Sequence, residues 1–376
     1  MVLDRGRVRE NIEKRVAEDI ASGVIAGACV LVKQKGEVIY ENCFGKAAED
    51  RSLTKDTVFR LASMTKPITT VAVMKQVERG LISLDDPLEK FIPEYAEMDV
   101  ATVVDRKIVS VRRAENKIRI FHLLTHTSGV GTGVLGELQS AEFSPEREYD
   151  LQSVAAEYSS KPIAFEPYSA QFYSPLKGFD LLARVVEITS GKRYDEFLKK
   201  EIFEPLGMND TTFVPGDEQW DRMTLMHRQV NGAAEFIPLD REHVFYDLPL
   251  TYFCGGASLV STIADYERFA DMLLLGGVGA NGVRIISEES VTRMRTPSVP
   301  ASYMWTPREV WGLGVRVINQ PDYFMPVGAY GWSGAFGTHF WVDPVNDIVG
   351  IYMKNSYTDG GSEARTARNF EKDVYL

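Results

Sequence analysis

The sequence predicts an α+β fold: a mainly antiparallel β-sheet flanked by helices, with a mostly helical domain inserted into it. Two observations carry that prediction. Runs rich in β-formers and separated by turn residues lie near both ends of the chain, at residues 26–45 and 311–353. Helical periodicity dominates between them. A sheet made by both ends assigns residues 1–75 and 183–376 to a sheet domain and 76–182 to the helical one. With 376 residues, 44% of them hydrophobic, the chain has ample material for a sizeable core.

The elements follow in order. Residues 4–22 place Val8, Ile12, Val16 and Ile20 on one face of a helix that Gly23 ends. Residues 26–34 and 37–45 flank Lys35-Gly36, a hairpin signal. Residues 57–66 lead into an apolar helix that runs to Arg79-Gly80. Residues 103–120 suit a small hairpin, 120–129 a short helix stopped by glycine, and 129–144 a loop. Residues 151–160, 176–189 and 194–203 are helical, and 168–175 is an aromatic, turn-rich loop. Phe213, Phe236-Ile237 and 252–259 look extended. A helix follows at 262–275, capped by a Ser/Thr residue with Asp265 three residues on, and another at 288–294. The runs 311–318, 323–328, 338–342 and 348–353 form an antiparallel meander, and 364–374 a polar C-terminal helix.

The net charge is -11 and the pI near 5.2, with lysine and arginine scattered. That argues against a nucleic-acid partner. No apolar stretch is long enough to span a bilayer, so no membrane partner is expected. Residues 1–7 lack the apolar core of a signal peptide, and the expected location is cytoplasmic. Three cysteines, Cys29, Cys43 and Cys254, show no disulfide framework and no metal-ligand spacing. Cys29 and Cys43 fall in strand-like runs, where small core residues are expected. Nothing calls for a metal or a cofactor.

The chemistry is concentrated at Phe59-Arg60-Leu61-Ala62-Ser63-Met64-Thr65-Lys66-Pro67. Proline is tolerated only in a helix's first turn, so the helix starts within a few residues of Ser63. Residues three apart share a helix face, which lets the Ser63 hydroxyl meet the Lys66 amine. The Ser63 N–H is then one of the unpaired donors of a helix N-terminus, aimed where an oxyanion could sit. The dipole's positive end and burial both disfavour a charged Lys66, and a neutral amine beside a hydroxyl is an activated nucleophile pair. A serine near a helix start is more often a cap, so the motif needs partners.

Two histidines, His122 and His126, share a helix face. A metal site would need a third ligand nearby, and the favoured role is filling the turn at Thr125-Thr127-Ser128-Gly129. Spacing alone leaves a Ser-His-Asp triad open. Tyr173 sits in Phe172-Tyr173-Ser174-Pro175, where a phenol near a protonated lysine can ionise more easily. Near the C-terminus, Tyr330-Gly331-Trp332-Ser333-Gly334-Ala335-Phe336-Gly337 lets backbone N–H groups approach a ligand. Ser333 resembles half a nucleophile elbow, but Ala335 stands where Gly-x-Ser-x-Gly requires glycine.

These motifs, with Leu123-Leu124-Thr125-His126-Thr127-Ser128-Gly129, fall in the order seen in the class C β-lactamase and penicillin-binding-protein-like superfamily. The chain most resembles its family VIII carboxylesterases, over nearly its whole length. The resemblance implies a serine β-lactamase-like fold. It implies Ser63 as nucleophile, Lys66 as its proton partner and Tyr173 as general base and acid. It implies an oxyanion hole from the backbone N–H groups of Ser63 and Ala335, beside a substrate pocket at Trp332, Ser333 and Gly334. Pro175 replaces the asparagine of the lactamases' Tyr-x-Asn, and Trp332 replaces their lysine; both look like esterase traits.

The expected function is therefore a serine hydrolase of short-chain carboxylic esters, acting on a small-molecule ester. The alternatives are a β-lactamase or D-amino-acid amidase or peptidase, an acyltransferase of the same fold, or a scaffold without activity. An intact Ser63, Lys66 and Tyr173 set argues against the last.

Overall fold

The computed structural model describes the chain except for residues 141–148, 305 and 322. Its centre is an eight-stranded antiparallel sheet. Strands β1 (Gly27–Gln34) and β2 (Glu37–Ala48) form the expected hairpin, turned by Lys35 and Gly36 at φ 53° and 79°. After β3 (Arg51–Ser52) the chain leaves the sheet. It returns as β4 (Glu309–Trp311), β5 (Arg316–Ile318), β6 (Tyr330–Ser333), β7 (His339–Asp343) and β8 (Ile348–Met353). The order is β4-β5-β6-β7-β8-β1-β2-β3. The two ends of the chain thus meet where β1 pairs with β8, from Cys29 opposite Met353 to Gln34 opposite Ile348.

Both faces of this sheet are covered, because successive side chains of a strand point to opposite sides. On one face Ala28, Val30 and Val32 of β1 pack with Val8, Ile12 and Val16 of helix α1 (Arg5–Ala21). The Asp4 side chain caps α1 by accepting the Arg7 N–H at 3.0 Å. The other face carries Cys29 and Leu31 and packs on α2 (Thr65–Glu78), α3 (Lys177–Ser190) and α4 (Ile263–Leu274). Helix α2 is buried on most sides, including Ile68, Val71, Ala72 and Val73. Each of the branched side chains Ile68, Val71 and Val73 contributes about 1.5–3 kcal/mol by leaving water. We propose residues 76–182 as the inserted domain. They supply the short helices Ile120–Leu124, Gly133–Leu138 and Leu151–Ser159 and the hairpin Asp99–Val104 with Lys107–Arg113. No described helix is long and apolar enough to cross a membrane.

Five expectations are corrected. Residues 252–259 run as turns and irregular backbone, joining a strand only at Val260–Ser261, and 323–328 also lie in turns. Loop 129–144 contains the helix Gly133–Leu138, and its residues 141–144 lie outside the described ones. The C-terminal helix α5 (Arg365–Tyr375) is not a polar surface element: Phe370, Glu371 and Val374 are buried in it. Cys29 and Cys43 are directly opposed across β1 and β2 and form a disulfide. The two positions are set by strand register, which cysteine spacing does not report. With Cys254 the one buried free thiol, alkylation of denatured, unreduced protein should modify Cys254 only, and prior reduction should expose all three. Mass mapping of three modified cysteines without reduction would refute the pairing.

Candidate active site

The chain delivers Ser63 through a braced turn. The short strand Phe59–Arg60 pairs with Val260–Ser261. The Asn355 side chain accepts the Arg60 N–H at 2.9 Å and donates to its carbonyl at 3.0 Å. Ala62 then takes φ 47°, a left-handed conformation that costs a Cβ-bearing residue about 1–2 kcal/mol. The single 3₁₀ turn Ala62–Met64 follows and runs into α2. Pro67 falls in that helix's first turn, as its missing N–H requires. Ser63 caps nothing: α2 has no side-chain cap, and the serine hydroxyl is met by Lys66 instead.

Lys66 is fully buried, and its Nζ donates to three oxygens: Ser63 Oγ at 3.0 Å, the Gly256 carbonyl at 2.8 Å and the Pro175 carbonyl at 2.5 Å. Three acceptors match the three N–H groups of an ammonium. The environment is therefore built for the charged lysine, against the neutral amine expected from burial and the helix dipole. Neither carbonyl was singled out in the sequence. The signal lay in Cys254-Gly255-Gly256-Ala257: a Cβ on Gly256 would stand 2.9 Å from the Pro175 oxygen and the Leu176 Cα. Only glycine lets these backbones meet around the amine.

Tyr173 lies over this pair. The Lys66 amine is 4.9 Å from its ring centroid, and its hydroxyl accepts the Trp332 indole N–H at 3.3 Å. Trp311 stacks on the phenol with centroids 5.9 Å apart. No hydrogen bond joins the phenol to Ser63 or Lys66 among the described residues. Such contacts are often long before substrate binds. His126 holds the loop in place. Its Nδ1 accepts the Ser174 N–H at 3.1 Å, and its carbonyl accepts the Phe172 N–H at 3.1 Å. Burial, then the Lys66 charge, hold its pKa well below the usual histidine range. His122 accepts the Arg119 N–H at 3.1 Å and stacks on Tyr168. The two histidines serve turns, and neither lines the cavity at Ser63.

The loop after β6 completes the site. Gly334 donates to the Thr338 carbonyl at 2.7 Å, and the Thr338 hydroxyl donates to the Leu61 carbonyl at 2.9 Å. A Cβ on Gly334 would stand 2.3 Å from that carbonyl, so glycine allows the loop to touch the nucleophile turn. The Ala335 N–H, next along, donates to no acceptor among the described residues. The first backbone bond of the turn is Met64 N–H to Leu61 O at 3.2 Å, so the Ser63 amide precedes it. Ser63, Tyr173, Trp332, Ser333 and Ala335 line one cavity of about 1040 Å³. Gly334 does not line it; it sets the loop's approach. Its apolar wall comes from Phe172, Met304, Val310 and Trp311, and a charged wall from Glu309, Arg316 and Arg368.

Comparisons with known proteins agree with this architecture. A family model described as Beta-lactamase matches residues 8–372. Esterase EstB of Burkholderia gladioli is 33% identical over 391 residues, covering 96% of this chain and 93% of that protein. The lovastatin esterase of Penicillium rubens is 34% identical, covering 95% and 96%. Among solved structures, "EstCE1, a hydrolase with promiscuous acyltransferase activity" superposes with a TM-score of 0.83 at 23% identity, covering 99% of each chain.

One titration consequence follows from the histidines. Burial and then the Arg119 charge push His122 down to about 4. An unfolded histidine binds its proton near pH 6.5. Between those values the unfolded chain holds the extra proton, so stability is lost as pH falls. In urea unfolding from pH 7 to 4.5, His122→Asn should flatten the slope by up to about 1.4 kcal/mol per pH unit. A slope identical to the wild type would mean that His122 titrates normally.

Proposed function

The chain belongs to the Beta-lactamase family, and we propose that it is a serine hydrolase cleaving short-chain carboxylic esters through an acyl-enzyme on Ser63. The observation that carries this is the Lys66 amine 3.0 Å from the Ser63 oxygen, held there by two backbone carbonyls at the foot of an apolar cavity.

In this reading Tyr173 acts as the phenolate: the Ser63 oxygen attacks the ester carbonyl while the Tyr173 oxygen takes its proton. The Trp332 N–H and the Lys66 charge beside the phenol suit a group that gains and returns a proton. The backbone N–H groups of Ser63 and Ala335 receive the oxyanion. Tyr173 then protonates the leaving alkoxide, and water repeats the sequence on the acyl-enzyme. Lys66 keeps its charge and position throughout, anchoring the serine and favouring negative charge nearby.

The same geometry supports esters over lactams and peptides. Those substrates carry a carboxylate that needs a cation beside the oxyanion loop, and Trp332 offers one indole N–H already given to Tyr173. Of the wall cations, Arg316 and Arg368 are paired with Glu309 and Glu371, and Arg308 lies over the Tyr323 ring at 5.4 Å. Losing one charge-assisted contact costs about 1.5–3 kcal/mol. Pro175 brings no amide side chain for an acylamino group. A second reading, acyl transfer to an alcohol, is favoured by the cavity volume of about 1040 Å³, which leaves room for an acceptor beside a short acyl group.

Two predictions test this. Ser63→Ala should abolish hydrolysis and fluorophosphonate labelling, while Ser333→Ala protein should still be labelled at Ser63. Tyr173→Phe and Lys66→Ala should each lose several orders of magnitude in kcat, because they act as one unit. Labelling that maps to Ser333 would refute the assignment. Secondly, kcat/KM for p-nitrophenyl acetate and butyrate should exceed that for a chromogenic cephalosporin and a D-alanyl amide by at least about tenfold. Equal or reversed values would favour the lactamase or amidase alternative, and an alkyl ester product in added alcohol would establish transfer.

A further inference from the structure

A second polar system lies behind β6. Ser333 Oγ is 2.8 Å from His339 Nδ1, and His339 Nε2 is 2.8 Å from Glu371 Oε1. The three sit in β6, β7 and α5, and all are buried, Ser333 at 3% exposure and the other two at 0%. Ser333 and His339 are direct cross-strand partners. The ladder between β5 and β6 ends at Arg316 opposite Gly331, so Trp332 and Ser333 lie past its last rung. The Ser63 cavity reaches round that edge and is lined by Ser333 as well as Trp332.

The arrangement has the residue types of a catalytic triad but not its wiring. In the serine-protease triad the serine meets Nε2 and the carboxylate meets Nδ1; here the two are exchanged. The carboxylate is also spent elsewhere. Glu371 receives Arg316, Arg368 at 3.2 Å and the Tyr323 hydroxyl at 3.2 Å, while Glu309 receives Arg316 at 3.2 Å and Arg368 at 3.0 Å. Two arginines and two glutamates close a neutral ring. Burial pushes the Glu371 carboxyl up, but the Arg316 charge and the hydrogen bond from His339 are among the effects that hold it below the usual range. An ionised Glu371 can only accept, so His339 Nε2 carries the hydrogen. Arg316 and Arg368 already match Glu309 and Glu371, so the ring holds no surplus negative charge for a second imidazole proton. Its Nδ1 is then a lone pair, and the Ser333 hydroxyl must donate to it.

We propose that Glu371 and His339 lock the Ser333 hydroxyl as a hydrogen-bond acceptor toward the cavity, selecting esters whose acyl group carries a hydroxyl or amide N–H and disfavouring those that carry a carboxylate. Ser333 is the specificity-determining residue, and His339 and Glu371 are positioning residues. This rests on Ser63 being the nucleophile of an ester hydrolase in the same cavity. A carboxylate there meets oxygen lone pairs instead of a donor. A hydroxyl or N–H donor gains one neutral hydrogen bond, which is a fold-change of about two- to tenfold.

The experiment compares kcat/KM for p-nitrophenyl esters of butyrate, 3-hydroxybutyrate, 3-acetamidopropanoate and succinate. Ratios between substrates do not depend on the fraction of enzyme folded. In the wild type the better of the two donor esters should exceed butyrate by about two- to tenfold, mainly through KM, and succinate should fall below butyrate. Ser333→Ala should bring the donor ratio to about one, and Ser333→Thr should restore it. His339→Leu unlocks the hydroxyl, so the donor ratio should fall while succinate gains on butyrate, a reversal that loss of packing alone would not produce. Donor ratios at or below one in the wild type, a wild-type preference for succinate, or ratios unmoved in His339→Leu would each overturn the proposal while leaving ester hydrolysis by Ser63 intact. Hydrolysis retained in Ser63→Ala would overturn the underlying reading instead.

Discussion

The buried Lys66 amine constrains the site more than any other group. Moving an ammonium out of water costs several kcal/mol unless its donors are met. The three oxygens that meet them come from three places in the chain: the turn at Ser63, the loop at Pro175 and the glycine run at Gly256. None of these segments can drift without leaving a buried charge unpaired. The lysine thus docks the loop bearing Tyr173 onto the helix bearing Ser63. Other contacts reinforce that docking: the Thr69 hydroxyl reaches the Gly255 carbonyl at 2.6 Å, and the Tyr266 hydroxyl reaches the Met64 carbonyl at 2.9 Å.

The sheet supplies the rigidity these contacts need. Strand β1 is buried along its whole length and joins the two ends of the chain through β8. Strand β6 lies three places from it, and the loop that follows β6 is pinned to the Ser63 turn through Thr338 and Leu61. The positive φ of Ala62 is stored strain, and it persists because Asn355 and the Val260–Ser261 strand fix the approach of Arg60. Fold and site are therefore one construction: the sheet sets the loop at Gly334 and Ala335, and α2 sets the serine.

Local patterns were legible in the sequence and distant pairings were not. The α1 stripe, the Lys35-Gly36 hairpin, the α2 start at Pro67 and the glycine stop at Gly23 depend on neighbours a few residues away. Tyr173 and the Ser63–Lys66 pair were found because their motif is short and ordered. The Cys29–Cys43 bond was missed because register, not spacing, opposes the two residues. The Pro175 and Gly256 carbonyls were missed because a backbone acceptor marks a sequence only indirectly, here through the close approach that Gly256 allows. Glu371 lies in a helix read only as polar, and its burial depends on Arg316 and His339 reaching it from β5 and β7.

Strand β6 divides the polar chemistry in two, and the alternation of a strand explains how. Trp332 turns to the face of α2 and meets Tyr173, while Ser333 turns to the face of α5 and meets His339. One face holds an ammonium with its acceptors matched, and the other holds a closed ring of ions. Each is neutralised within itself, so neither face needs a substrate charge to complete it. A cavity bounded by two such satisfied systems and an aromatic wall offers hydrogen-bond geometry without net charge. In such an environment a neutral ester gives up little on leaving water.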